Sequence, residues 1–124
     1  MVQALRTPDD RFHGLPGWPY APFYHQRTDG LRLHYADTGP RRAARTWLCL
    51  HGQPTWSYLY RRMMPAFAMA GHRVIAPDFA GFGRSDKPVD DKAYTFDFHR
   101  RSLINSSRRS TCATSRWSCR IGAA

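Results

Sequence analysis

The sequence has 124 residues, 42% of them apolar, enough for one domain with a core. Its formal charge of +10 would suit nucleic acid or an anionic membrane surface, yet residues 1–99 carry 13 Lys and Arg against 9 Asp, while residues 100–124 carry six Arg and no acid. The excess is largely a property of the tail, so no nucleic-acid partner is expected; no run can span a bilayer, Met1–Pro8 has no apolar leader core, and no Cys/His spacing suits a metal, so a membrane-bound, secreted or metal-dependent protein is not expected and the chain is read as cytoplasmic.

The first 23 residues are rich in Pro, Gly and aromatic side chains, with three prolines between Pro16 and Pro22. Proline at that density forbids a helix, so an extended lead-in is predicted. Phe23–Gln26 and Leu31–Asp37 flank Thr28-Asp29-Gly30, and Asp-Gly between alternating runs signals a hairpin. The alternation puts Leu31, Leu33 and Tyr35 toward the core and Arg32 and His34 outward. Pro40–Arg45 reads as a basic surface loop.

Thr46-Trp47-Leu48-Cys49-Leu50 is a short continuous apolar run, the pattern of a strand buried on both faces. Cys49 is expected to be a buried thiol in a reducing compartment. His51–Trp56 is the turn that follows. Ser57 is a candidate N-cap for a helix over Tyr58–Ala70, with Leu59, Met63 and Phe67 on its apolar face together with Met64 and Ala70. Pro65 should kink that helix or mark a restart, and Gly71 suits its C-terminal cap. His72–Ala76 is the next strand and Pro77–Pro88 a long ordered loop. Asp90–Tyr94 is a polar linker, and Thr95 can cap a helix that begins at Phe96, with His99 and Leu103 at helical spacing. Hairpin, strand, helix, strand is the order of an α/β protein whose antiparallel edge leads into a parallel sheet. From Asn105 to Ala124 neither period is present, and composition alone predicts a disordered basic tail.

Two loops carry the chemical signal. A turn between a buried strand and a helix can aim backbone N–H groups at one point, and such donors stabilise a developing oxyanion. In His51–Trp56, Gly52 allows close approach to the backbone, Pro54 stiffens the turn, and Gln53 offers a backbone N–H with a side-chain amide beside it. An ordinary strand-to-helix connection is the plainer alternative, and a bare His-Gly would not exceed it. In the second loop, Asp78, Ser85 and Asp86 look reactive, but bonding of Asp and Ser to the backbone around Gly81 and Gly83 explains them as well. Gly81-x-Gly83 is no dinucleotide fingerprint and Gly83-Arg84-Ser85 no nucleophile elbow, because no helix follows either. His13, His25, His34, His72 and His99 form no cluster and read as surface or structural residues.

Leu48-Cys49-Leu50-His51-Gly52-Gln53-Pro54-Thr55-Trp56-Ser57-Tyr58-Leu59-Tyr60-Arg61 resembles the oxyanion loop and following helix of haloalkane dehalogenases. Arg73–Asp90, with Pro77-Asp78-Phe79-Ala80-Gly81-Phe82-Gly83-Arg84-Ser85-Asp86-Lys87-Pro88, resembles their next strand and loop. Thr95–Arg100 resembles the start of the helix before the nucleophile strand, and Arg6–Phe12 the N-terminus of the branch that attacks short chloroalkanes. The resemblance covers residues 4–103. It implies an α/β-hydrolase fold with a helical cap, here absent, and an Asp that displaces halide to form an alkyl ester, which a His-activated water then hydrolyses. It implies a haloalkane and a halide ion as the small-molecule partners, no cofactor and no obligate protein partner. His51, Gly52, Gln53 and Trp56 map to the oxyanion and halide side of the site; the Gln53 N–H lines the oxyanion hole, where the family more often has Glu or Asn. An epoxide or ester hydrolase of the same fold shares these loops. A small basic nucleic-acid-binding protein, from a different class, rests on the tail alone.

The family's next strand reads Leu-Val-Val-Gln-Asp-Trp-Gly-Gly, where the Asp is the nucleophile and the Trp a halide donor. This chain has Trp117-Ser118-Cys119-Arg120-Ile121-Gly122-Ala123-Ala124, so no catalytic nucleophile, acid or His is present. Joining the last base of each codon to the first two of the next permits GTC, GTG, CAG, GAT, TGG, GGC and GGC from Trp117 to Ala124. These encode Val-Val-Gln-Asp-Trp-Gly-Gly. From Asn105 the same frame permits Phe-Ile-Glu-Ala-Leu-Asp-Leu-Arg-Asn-Val-Thr-Leu, a helix end followed by a strand. The expectation is a partial α/β-hydrolase domain over residues 1–104 and, over 105–124, a tail read out of frame after a shift near Ile104–Ser106. A truncated, inactive product is expected, with strands 46–50 and 72–76 lacking central neighbours and exposing apolar edges.

Overall fold

The computed structural model describes residues 1–109 and 117–121, with side chains through Asn105. The strands are β1 (Ala4–Leu5), β2 (Phe23–Gln26), β3 (Arg32–Thr38), β4 (Thr46–Leu50), β5 (Arg73–Pro77), β6 (Lys87–Pro88) and β7 (Trp117–Ile121); the α-helices are α1 (Met64–Met69) and α2 (Phe96–Arg109). Five strands form one sheet in the order β2-β3-β5-β4-β7, while β1 and β6 form a separate pair. The β2–β3 hairpin and the β3–β5 pair are antiparallel; β4 runs parallel to β5 and to β7. This is the mixed sheet expected of an α/β hydrolase, with its antiparallel edge entering a parallel centre.

The hairpin turns where Asp29-Gly30 predicts. Gly30 takes φ +91°, and Asp29 Oδ1 accepts the Leu31 N–H at 3.2 Å. β4 has the predicted limits, and β5 begins one residue later than predicted. Ala36, Cys49, Tyr60, Met64, Val74 and Ala76 form the core, with Trp18, Tyr20, Trp47 and Phe67 packed against it. Trp47 stacks on Phe67 at 4.6 Å between ring centroids, and its indole N–H donates to His72 Nδ1 at 2.7 Å. Arg73 and Asp37 form a bidentate pair across β3 and β5 at 2.9 and 2.6 Å, so the charge that β5 buries has its counter-ion within reach.

The helix predicted over Tyr58–Ala70 is two elements, a 3₁₀ turn at Ser57–Tyr60 and the short α1. Proline lacks the N–H that a continuous helix needs, so the helix restarts with Pro65 in its first turn. The break also changes the buried face. Met64 is fully buried, whereas Leu59 and Met63 are 42% and 45% exposed. Ser57 caps nothing with its side chain, whose hydroxyl is buried without a hydrogen-bond partner among the described residues. His34, expected to face outward, is 1% exposed; a carboxylate from β5's exit loop reaches it.

Disorder from residue 105 onward is corrected at two places. α2 continues to Arg109, and Trp117–Ile121 is a strand. β4 otherwise has an open edge of backbone donors and acceptors, and a chain segment that reaches it gains ladder hydrogen bonds whatever its composition. For the same reason β4 and β5 do not lack neighbours: β4 lies between β5 and β7, and β5 between β3 and β4. Residues 110–116 and 122–124 of the expected tail lie outside the described residues. Among the described residues no helix is long and apolar enough to cross a membrane.

Candidate functional site

The His51–Trp56 turn leaves the carboxyl end of β4, where the buried Leu50 hands the chain to His51. Tyr60 anchors this exit by donating its hydroxyl hydrogen to the Leu50 carbonyl. His51 is itself buried, at 5% exposure. Its Nε2 accepts the Phe79 N–H at 3.0 Å, and its Nδ1 lies 2.9 Å from the Gly52 carbonyl oxygen. A ring nitrogen that accepts an N–H carries no hydrogen, so Nδ1 holds the proton and donates to Gly52. With both nitrogens engaged and its ring edge-on to Phe79 and Phe82, His51 holds two loops together and is not placed to act as a base.

The Gly52 carbonyl also accepts from the Thr55 N–H and the Thr55 hydroxyl, both at 3.1 Å. A cis peptide bond joins Gln53 to Pro54. Both residues are exposed, and among the described residues no acceptor takes the Gln53 N–H. A Cβ built at Gly52 meets nothing within 4 Å, so the space before the turn is open. Trp56 is partly buried. It packs on Phe12, Trp18 and Tyr58 at 5.4, 5.7 and 5.5 Å, fixing the aromatic lead-in against the turn.

Asp78, Ser85 and Asp86 are engaged throughout. Asp78 is 1% exposed; Oδ1 accepts the Ser57 N–H at 2.7 Å, and Oδ2 accepts from His34 Nδ1 at 2.7 Å and from the Arg84 N–H at 3.0 Å. Burial pushes this carboxyl up, but the His34 hydrogen bond and charge and the two backbone donors outweigh it and hold it below the ordinary carboxylate range. Ser85 donates its hydroxyl hydrogen to the Asp78 carbonyl at 2.7 Å and accepts the His34 N–H at 2.9 Å. A Ser, a His and an Asp thus meet without forming a triad, because the hydroxyl hydrogen is committed to a carbonyl and all three side chains are sealed from solvent. Asp86 takes Arg6 in a bidentate pair at 2.7 and 2.8 Å and the Arg32 N–H at 2.8 Å, which ties β1 and β3 to the loop.

Gly83 makes this packing possible. Its φ is +51°, and a Cβ there would lie 2.3 Å from Asp78 Oδ2 and 2.9 Å from Trp56 Cβ. On the far side of His51, His99 of α2 packs against Phe79 at 5.5 Å. Its Nδ1 is buried without a hydrogen-bond partner among the described residues, and burial, then the nearby His51, keeps its pKa below the ordinary histidine value. Sequence reasoning missed the tie from Asp78 to Ser57 and His34. No local signal joins residues 21 and 44 positions apart.

Residues 47–106 match the family model described as the alpha/beta hydrolase fold. The haloalkane dehalogenase of Psychrobacter cryohalolentis is 52% identical over 102 residues, which cover 79% of this chain and 33% of that protein. Haloalkane dehalogenase 1 of Mycobacterium bovis is 54% identical over 107 residues, covering 79% and 34%. Among solved structures, the tetrameric haloalkane dehalogenase DpaA of Paraglaciecola agarilytica NO2 superposes with a TM-score of 0.83 at 55% identity, covering 86% of this chain and 37% of that one. The chain therefore spans about a third of the length of the curated relatives it matches.

Proposed function

From its place in the haloalkane dehalogenase family, where it is homologous to the N-terminal third of the enzymes on their α/β-hydrolase fold, we propose that this chain carries the oxyanion and halide side of a carbon–halogen hydrolase and not its nucleophile. In the full reaction a carboxylate oxygen attacks the halogen-bearing carbon, the C–O bond forms, and halide leaves with the bonding pair. Water then cleaves the ester, which returns the carboxylate and releases an alcohol and a proton. The part assigned to this chain is the donor set of the first turn: Gln53 through its backbone N–H, Gly52 by leaving room, and His51 and Trp56 by holding the turn in place. In this reading the Gln53 side-chain amide serves the departing halide. The observation that carries this reading is the exposed Gln53 N–H, without an acceptor among the described residues, at the carboxyl end of a central parallel strand.

The missing nucleophile fits the frame reading of the tail. β7 pairs with β4 in a register that sets Arg120 opposite Cys49 and Ile121 opposite Leu50. The shifted codon spanning Arg120 and Ile121 permits Asp, so the alternative frame would supply a carboxylate at the strand end next to His51-Gly52. In this reading residues 1–104 are the hydrolase part, the rest is read out of frame, the setting is cytoplasmic, and a small haloalkane and its halide product are the small-molecule partners, with no obligate protein partner inferred. Purified chain should release no halide from 1,2-dichloroethane above a protein-free control. The coding DNA should contain the Val-Val-Gln-Asp-Trp-Gly-Gly strand one frame away. Halide release by the chain would refute the first claim, and a gene without that strand in any frame would refute the second.

A further inference from the structure

The geometry points to Asp78 as the positioning residue for the His51–Trp56 turn, a role that rests on the functional reading of that turn. Consecutive residues of the second loop hold the turn at both ends. At its start, the Phe79 N–H donates to His51 Nε2 at 3.0 Å. At its end, the Ser57 N–H donates to Asp78 Oδ1 at 2.7 Å. The carboxylate cannot swing away from Ser57, because its other oxygen is held by His34 from β3 and by the Arg84 N–H from the Gly-rich loop. The backbone of Gly83 closes the remaining space around it. Gly52–Trp56 is all that lies between the two anchors, and Pro54 stiffens its middle.

A donor aimed at a developing charge is worth most when it is already in place and does not have to be ordered during the reaction. The anchors supply that order for Gln53. Asp78 touches no part of the open space before Gly52, being sealed behind the turn, so it acts through the turn. The Ser57 end can be released separately. The Ser57 N–H that reaches Asp78 Oδ1 is removed on its own when the serine at 57 is replaced by its α-hydroxy acid, which puts a main-chain ester oxygen in place of the amide nitrogen. That ester deletes one N–H, brings in no bulk, and leaves the Asp78 carboxylate with His34 and Arg84.

The test uses the ¹⁵N-labelled 124-residue chain, with amide hydrogen exchange at Thr55 and a sodium bromide titration at constant ionic strength read at the Gln53 amide. In Asp78→Asn and in the Ser57 ester, Thr55 exchange is expected to rise at least tenfold while amides of β4 and β5 keep their rates, and the bromide-induced shift at Gln53 is expected to fall by half or more. The proposal is overturned if Thr55 stays within twofold of its original rate. It is equally overturned if all sheet amides accelerate together, or if both variants fail to fold, since Asp78 would then support the whole fold and not the turn. Should only Asp78→Asn fail to fold, the Ser57 ester decides. If the original chain shows no bromide response at Gln53 while Thr55 loosens in the variants, the halide reading fails and the positioning role stands.

Discussion

A single carboxylate sets the local order of this molecule, and its energetics follow from burial. Asp78 ionises below the ordinary aspartate value, so the folded state favours the charged form more than the unfolded state does. Its contribution to stability is therefore complete above that value and is lost as pH falls through the lower folded value. Breaking a buried pair of this kind costs about 3–5 kcal/mol. The difference in unfolding free energy between the original chain and Asp78→Asn should accordingly be largest near neutral pH and should shrink below pH 3.8. Asp29 and Asp86, also held low, are common to both proteins and cancel. A difference that stays constant from neutral pH into that acid range would show that the charge of Asp78 adds nothing. This residue also shows where sequence legibility ends. The turn itself is readable, because Gly, Pro and an amide are adjacent in the chain. His34 is not: alternation assigns it outward by polarity, whereas a carboxylate 44 positions away turns it inward.

At the scale of elements, the legible parts are those whose signals are local. β4 is read to the residue because its apolar run is continuous, and the hairpin is read because Asp29-Gly30 dictates a turn. The segment after the His51–Trp56 turn is less so, since Pro65 decides not only that the helix restarts but also which face it buries, putting Met64 and not Met63 in the core. The start of α2 is a local signal that the geometry repeats. Thr95 Oγ1 accepts the Phe98 N–H at 3.2 Å, satisfying a donor of the first turn, and Asp97 with Arg100 and Arg101 adds exposed ion pairs of little net weight. Thr95→Ala should therefore lower stability by about 1 kcal/mol, read as a shift in denaturant midpoint with unchanged slope. Loss of the Asp97 pairs, by Asp97→Asn, should cost less. If Thr95→Ala is neutral and Asp97→Asn is not, the surface charges and not the cap hold the start of α2.

For the whole molecule the decisive question is what covers β4. Its continuous apolar run is that of a strand in the middle of a sheet, and the sheet order gives it two neighbours, β5 and β7. The β5 side belongs to the recognisable hydrolase portion. The β7 side is supplied by Trp117–Ile121, a segment whose composition gives no sign of a strand and whose pairing is dictated by the open edge beside it. A ladder hydrogen bond adds about 1 kcal/mol net, so five paired positions contribute a few kcal/mol, a large share of the 5–15 kcal/mol typical of a small domain. Removing residues 110–124 leaves the Thr46–Leu50 edge bare, with Trp47 and Leu48 flanking the buried Cys49 and Leu50. An uncovered apolar strand edge recruits other chains. The 1–109 product should accordingly elute as larger species in size-exclusion chromatography and lose its cooperative thermal transition, whereas the 124-residue chain at equal concentration should not. If 1–109 stays monomeric with an unchanged midpoint, β7 contributes nothing to the sheet. The carboxylate proposed at the end of β7 then has no strand to carry it, and the coding DNA alone decides whether it is encoded.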